Sequence, residues 1–248
     1  MKYQLLPHPF AGNWVHVPHD VLVDLWRELS LERNLVGLFR SLKAGSPFDI
    51  DLSTKTPNIA AKYHPLRALG ERVFVVDIEI QSDSPNFSHF GFTVLITPDI
   101  IHPLLGDVEI IEKIQRQATF ENCSDNDAVI YLKFFTLTVV DGKSRFLPID
   151  TMKNLDKWVY LEKFHEHAAI KASDGIHMVQ VKNLAKKWVM KVPILYDGAL
   201  YSSKFELSRE GVVTMTEDRP LIASDEVNIV YRVSPTLVRS FLQSQEAV

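Results

Sequence analysis

The sequence predicts an α+β protein: a mixed, largely antiparallel sheet with an N-terminal helical segment, one or two central helices and a C-terminal helix. Three observations carry that prediction. Apolar residues alternate in short runs such as "RVFVVDIEI" (72–80), and a period of two is the strand period. Near the N-terminus they recur at three- and four-residue spacing instead, in "HDVLVDLWRELSLERNLVGLFRSLKAG", which is the helical period. Strand and helix patterns do not alternate regularly, and turn dipeptides such as Asp141–Gly142 close hairpins, so antiparallel pairing is favoured over a doubly wound sheet.

The N-terminal segment places Val21, Leu22, Leu25, Trp26 and Leu29 on one helical stripe, with Asp20 as N-cap. Leu35, Leu38, Phe39 and Leu42 continue it to Gly45, and Ser30 can cap a second piece, so either a helical hairpin or one bent helix is expected. Residues 46–70 read as loop. The strand 72–83 follows, with Phe74, Val76, Ile78 and Ile80 on one face, and pairs across "SDSPN" with "FSHFGFTVLI". Thr97 and Pro98 suit a helix start. Pro103 breaks that helix, and Val108, Ile111, Ile114 and Ala118 give an amphipathic continuation. "ENCSDND" reads as a polar loop, and Ala128–Val140, apolar on both faces, as a central strand. The Asp141–Gly142 turn returns it through "KSRFLPI". Residues 151–175 suit a helix, with a strand from Trp158 onward as the competing reading. Short β runs follow in "IHMVQV", "WVMKVPIL", "SKFEL", "VVTM" and "EVNIVYRV", and Ser234–Pro235 opens the C-terminal helix. The whole chain, 1–248, is expected to form one domain, with any division into two lobes near 141–155.

At 248 residues, 46% hydrophobic and 23% charged, the chain can bury a core without cross-links. A net charge of −4 argues against a surface coated in basic charge for sequence-independent nucleic-acid binding. Cys123 is the only cysteine, so neither an intramolecular disulfide nor a cysteine zinc site is expected, and a reducing, cytoplasmic setting follows. The start of the chain lacks the apolar run of a signal peptide. The longest apolar stretch, 128–140, is too short to span a bilayer as a helix and contains Lys133, so no membrane association is expected.

Glycine-rich phosphate loops and nucleophile elbows do not occur, and no cofactor is expected. In the strand 72–83, Asp77, Glu79 and Gln81 project to one side. This row, with Asp49 or Asp51 upstream in "FDIDLS", resembles the site of restriction-type nucleases, which pair an upstream Asp with a strand carrying Glu-x-Lys or, in some related families, Glu-x-Gln. The resemblance implies Mg²⁺ held by Asp51 and Glu79, with Gln81 orienting the attacking water. It covers two short stretches and lacks the lysine. The plainer expectation is an amphipathic strand with one wet face.

His165-Glu166-His167 could offer both imidazoles to one metal from a strand, as in cupin-like barrels, but not from a helix. The helical reading of this segment makes them surface histidines. Lys182, Lys186, Lys187 and Lys191 surround Trp188 in a stretch free of acids. Such a stripe can hold a nucleic-acid backbone while the ring stacks a base, or it is a solvated face over a core Trp. His8, His16 and His19, with Trp14 among them, suggest an extended arm that packs on the domain or on a neighbour.

These residues point first to a non-catalytic binding protein, a subunit of a macromolecular assembly with a protein partner or a second copy of itself. A nucleic-acid-binding subunit using the lysine stripe is the alternative, and a Mg²⁺-dependent nuclease the third.

Overall fold

The computed structural model describes residues 14–18, 20–22, 24, 58–81, 89–99, 101–104, 112–113, 115–116, 120, 122–138, 140–141, 144–149, 159–162, 179–222, 228–231 and 238–240. In chain order, β1 (Val15–His16), β2 (Asn58–Pro65), β3 (Phe74–Gln81), β4 (His89–Ile96) and β5 (Ile101–Pro103) come first, with a 3₁₀ turn at Arg67–Leu69. Helix α1 (Asp125–Thr138) follows. Short strands β6 (Val140–Asp141), β7 (Ser144–Arg145), β8 (Leu147–Pro148) and β9 (Val159–Glu162) come next. Then come β10 (Gln180–Asn183), β11 (Lys187–Tyr196), β12 (Ala199–Ser208), β13 (Val213–Ile222), β14 (Asn228–Tyr231) and β15 (Val238–Ser240).

The first sheet runs β1-β2-β3-β4-β15, with β5 also on β4, and every pairing is antiparallel. Register sets Tyr63 opposite Val76 and Ala61 opposite Ile78, and the neighbouring row Lys62 opposite Asp77. Both faces are buried: Ala61, Val76, Ile78, Phe92 and Val94 on one, Val75, Asp77, Thr93 and Leu95 on the other.

The second sheet runs β10-β11-β12-β13, with β8 completing β11 on the side of β10. Its longest hairpin, β11–β12, pairs from Tyr196–Ala199 out to Lys187–Ser208. The turn is Asp197–Gly198, both with positive φ (47° and 72°), as a two-residue turn matching strand twist requires.

Helix α1 lies between the sheets. It packs on the 3₁₀ turn beside the first and on β8, β10 and β11 of the second. One apolar cluster therefore runs from Leu66, Leu69, Val75 and Leu95 through Tyr131, Leu132, Phe134 and Leu137 to Trp188, Met190, Val192 and Ile194. A helix covered on most sides needs apolar residues almost all round, which is why this segment shows little amphipathic pattern. Its start is capped: Asp127 N–H donates to Ser124 Oγ (3.2 Å), and Asp127 Oδ2 accepts from Ser124 N–H (3.2 Å). This is a capping box with Asp in the acidic position.

The predicted fold class is overturned: among the described residues the protein is mostly antiparallel sheet, not an α+β fold rich in helices. The expected central strand 128–140 is α1, and the expected loop "ENCSDND" holds its cap. The expected turn beside it is present only as a two-residue ladder, Asp141 pairing with Ser144. Thr97 does accept from Asp99 N–H (3.3 Å), but the chain then forms β5 against Val94–Ile96 rather than a helix. The central helix expected at 151–175 contains β9, paired with β14, so the competing strand reading holds for Val159–Glu162. The C-terminal helix gives way to β15, which pairs with Phe90–Phe92. The edge of β4 offers Val238–Ser240 the backbone partners that a local helix would otherwise supply. Of the N-terminal helical segment, 20–22 and 24 are helical, and 25–45 fall outside the described residues. The 72–83 hairpin is as expected, with β3 and β4 in register from Phe74–Ile96 to Gln81–His89.

Candidate functional site

The acidic row of β3 is not a wet face. Asp77 is fully buried and Glu79 is 6% exposed. Lys62 on β2 lies directly opposite Asp77, its Nζ 3.4 Å from Asp77 Oδ2 and 3.9 Å from Glu79 Oε1. Ala60 and Gly91 flank Glu79 on the two sides, so no large neighbour blocks the lysine from reaching it. The ammonium also sits 5.4 Å from the Trp14 ring centroid, a cation–π contact. The lysine missing from the nuclease-like row is thus supplied by the adjacent strand. It bridges the two carboxylates as an internal cation, where the nuclease chemistry would need a metal. Asp51 lies outside the described residues, and for Gln81 the description extends to its backbone pairing with Asn58 and His89 alone. No group of three metal-ligating side chains gathers among the described residues. His165 and His167 lie outside them.

On the same face of β2, Trp14 also meets His64 edge-on at 6.0 Å between centroids. His64 is buried, which holds its pKa below the ordinary value, while its Nδ1 hydrogen-bonds Pro65 O at 2.9 Å.

The lysine stripe divides. Lys182, Lys186 and Lys191 are exposed, whereas Lys187 is paired with Glu206 at 2.7 Å. Cross-strand register places Glu206 beside Val189 and Lys204 beside Lys191, and Lys204 is itself paired with Glu217 at 2.7 Å. The face is therefore mixed in charge. Trp188 points the other way and is fully buried. Its Nε1–H donates to Asp125 Oδ1 (3.0 Å), an oxygen that also accepts from Asn183 Nδ2 (2.6 Å). The Arg209 guanidinium covers the ring at 3.5 Å. No face of the indole is left to stack a base; the residue locks the start of α1 to the second sheet.

Among the described residues the longest exposed run within a strand is on β13. The strand is terminal in its sheet among the described residues, and Thr214 through Pro220 are all exposed. Val212 (56%) and Met215 (40%) add exposed apolar surface. A strand polar at both parities, with a proline inside it, is the signature of an edge with neither face covered. That signal stands in "VVTMTEDRPLI", yet sequence reasoning used only its first four residues, as a strand.

Beside β13 lies a row of partly exposed rings. Tyr196 and Tyr201 stack at 4.3 Å, and Phe146 meets Tyr196 at 4.9 Å. Asp218 on β13 receives hydrogen bonds from the Tyr196 hydroxyl and from Ser203 Oγ (3.2 Å). Burial, then the hydrogen bond and charge of Asp218, push the Tyr196 phenol above its usual range, so it remains a donor at neutral pH.

No family model, curated protein or solved structure matches this chain. Among the described residues no helix is long and apolar enough to cross a membrane.

Proposed function

We propose that this chain is a non-catalytic binding protein, a subunit of a macromolecular assembly, and that it takes an extended segment of a protein partner along the edge of β13. One observation carries the reading: among the described residues a ten-residue strand ends its sheet, with Thr214 through Pro220 exposed. Such an edge presents a row of backbone donors and acceptors to an added strand. The register shift between Lys204 and Phe205 leaves Thr216 as an extra residue between Met215 and Glu217, and Pro220 limits the far end, so 213–219 is the stretch open to an added strand. A cytoplasmic setting belongs to the same reading, since Cys123 is the only cysteine.

The nucleic-acid reading keeps three exposed lysines, Lys182, Lys186 and Lys191, but has no stacking ring in Trp188. It stands second. The nuclease reading is not carried further, because Lys62 already bridges Asp77 and Glu79 inside the sheet.

The test is a photo-crosslinking amino acid introduced at Thr216, on the edge, and separately at Lys186, both in the native host. We expect a protein adduct of one defined mass from position 216 and none from 186. Adducts from 186 alone, or salt-sensitive retention of single-stranded DNA or RNA lost in the Lys182→Ala/Lys186→Ala variant, would transfer the function to the lysine face.

A further inference from the structure

Three acids stand on strands β12 and β13, and they are not equivalent. Glu206 and Glu217 each have a lysine at 2.7 Å. Asp218 has two neutral donors instead, the hydroxyls of Tyr196 and Ser203. Those hydroxyls orient the carboxylate without cancelling its charge. Each carboxylate oxygen has two lone pairs, so one on each oxygen remains for a further donor. The result is a fixed, exposed anion, walled on one side by the stacked rings of Tyr196 and Tyr201.

Register puts this anion on a definite face. Asp218 pairs with Ser203, Pro220 with Tyr201 and Met215 with Phe205. Met215, Asp218 and Pro220 thus share the face that carries the rings, while Glu217 shares the opposite face with its partner Lys204. A strand added to β13 would set one side chain opposite Asp218, about 5 Å away between Cβ atoms, and another opposite Met215. A guanidinium at the first position matches the two free lone pairs as a fork and can lie along the tyrosine rings. An apolar side chain at the second covers Met215.

We infer that the β13 edge selects an extended segment of a partner protein that carries a basic residue, best an arginine, opposite Asp218 and an apolar residue opposite Met215. This rests on the edge-binding reading above and adds the chemistry of the occupant. A second copy of the chain is a poorer match, because antiparallel pairing centred on Asp218 would bring two like charges together, which is unfavourable.

The experiment pans a library of random twelve-residue displayed peptides on the immobilised full-length chain, in three forms: wild type, Asp218→Asn and Asp218→Lys. Selected peptides are then tested for crosslinking to the photo-reactive residue at Thr216. We expect alternating apolar peptides with one recurrent arginine or lysine, crosslinked at 216, about fivefold weaker on Asp218→Asn, with the basic position turning acidic on Asp218→Lys. Asp218 is exposed but accepts from buried Ser203. Asp218→Asn keeps a carbonyl acceptor and should unfold close to wild type, whereas Asp218→Lys should unfold at lower denaturant and is panned under conditions where circular dichroism shows it folded. Peptides that crosslink at 216 but show no charge preference, or none that Asp218→Lys reverses, would overturn this inference and leave the edge reading standing. Selected peptides that do not crosslink at 216 would overturn both. Crosslinking of 216 to a second copy of the chain at micromolar concentration, without peptide, would replace the hetero-partner with self-association.

Discussion

Lys62 and Asp77 face each other across β2 and β3, with Nζ 3.4 Å from Oδ2. The lysine side chain is 24% exposed and the aspartate side chain not at all. With Glu79 also within 3.9 Å, one cation serves two buried carboxylates. Removing it takes a compensating charge from carboxylates that cannot return to water without opening the sheet. Lys62→Met is expected to cost about 3–5 kcal/mol, the range for breaking a buried ion pair. Lys62→Met/Asp77→Asn should recover part of that loss, because it removes a charge as well as a partner. Urea denaturation of both variants gives the comparison; a single variant within 1 kcal/mol or so of wild type would mean that the cluster behaves as a surface pair.

Trp188 is held by packing, by one hydrogen bond and by the Arg209 guanidinium over its ring. Those contributions separate by substitution. Trp188→Ala should cost about 3–5 kcal/mol through the cavity it leaves. Trp188→Phe keeps much of the volume but frees Asp125 Oδ1 of its indole donor, for about 1 kcal/mol in hydrogen bonding. Arg209 also donates to Asn183 Oδ1 (2.6 Å) and Leu184 O (2.9 Å), a planar arrangement that an ammonium cannot reproduce. Arg209→Lys should therefore be destabilised by about 1 kcal/mol despite keeping its charge. Equal unfolding midpoints for Arg209→Lys and wild type would show that charge alone matters there.

Gly211 has φ +84°, and a Cβ built on it would come within 2.5 Å of Phe120 Cε2. Phe120 cannot yield easily, since it is fully buried and meets Tyr131 edge-on at 4.8 Å. The Gly211 carbonyl also accepts from the Tyr131 hydroxyl and from Gln115 Nε2, both at 3.2 Å. Gly211→Ala combines backbone strain with overpacking, and about 2–5 kcal/mol is expected. Tyr131→Phe should be milder, about 1 kcal/mol. Reversal of that order in thermal or urea unfolding would show that the turn relaxes around the methyl group.

What could be read from the chain was what local pattern encodes. The β3–β4 hairpin was legible because Phe74, Val76, Ile78 and Ile80 alternate and a turn follows. Helix α1 was not, because Val129, Ile130, Tyr131, Phe134 and Phe135 favour strands locally, and a helix buried between two sheets loses its amphipathic stripe. Two signals remained: the Ser124–Asp127 cap and a run of thirteen apolar-rich residues, long for a strand. The acidic row was legible as a row, but alternation says only which residues share a face, not what covers it. That depended on register, which brings Lys62 opposite Asp77. The β15 pairing depended on the same kind of distant partner. The edge character of β13 was legible in principle from Pro220 and from polar residues at both parities, whereas the Tyr196–Asp218 contact needed the fold.

His64 gives the fold a pH dependence of known sign. Burial holds its folded pKa below the ordinary 6.5, and Arg67 adds to the depression. Its hydrogen bond to Pro65 O and the charge of Asp127 pull the other way but are smaller causes. In the unfolded chain the imidazole takes up a proton as pH falls through 6.5, while the folded chain does so only at lower pH. Below 6.5 the unfolded state therefore binds more protons, and stability falls as pH falls. The contribution is fully present above pH 6.5 and is lost as pH drops through the folded pKa. Other groups also titrate in acid, so the informative quantity is the difference between wild type and His64→Gln. Wild type should lead by more at pH 7.5 than at pH 5.5, as measured by urea unfolding at both. A lead that is unchanged or that widens at pH 5.5 would mean that the folded protein accepts the proton on His64 as readily as the unfolded chain does, and that the contact with Trp14 at 6.0 Å stabilises the imidazolium enough to cancel its desolvation.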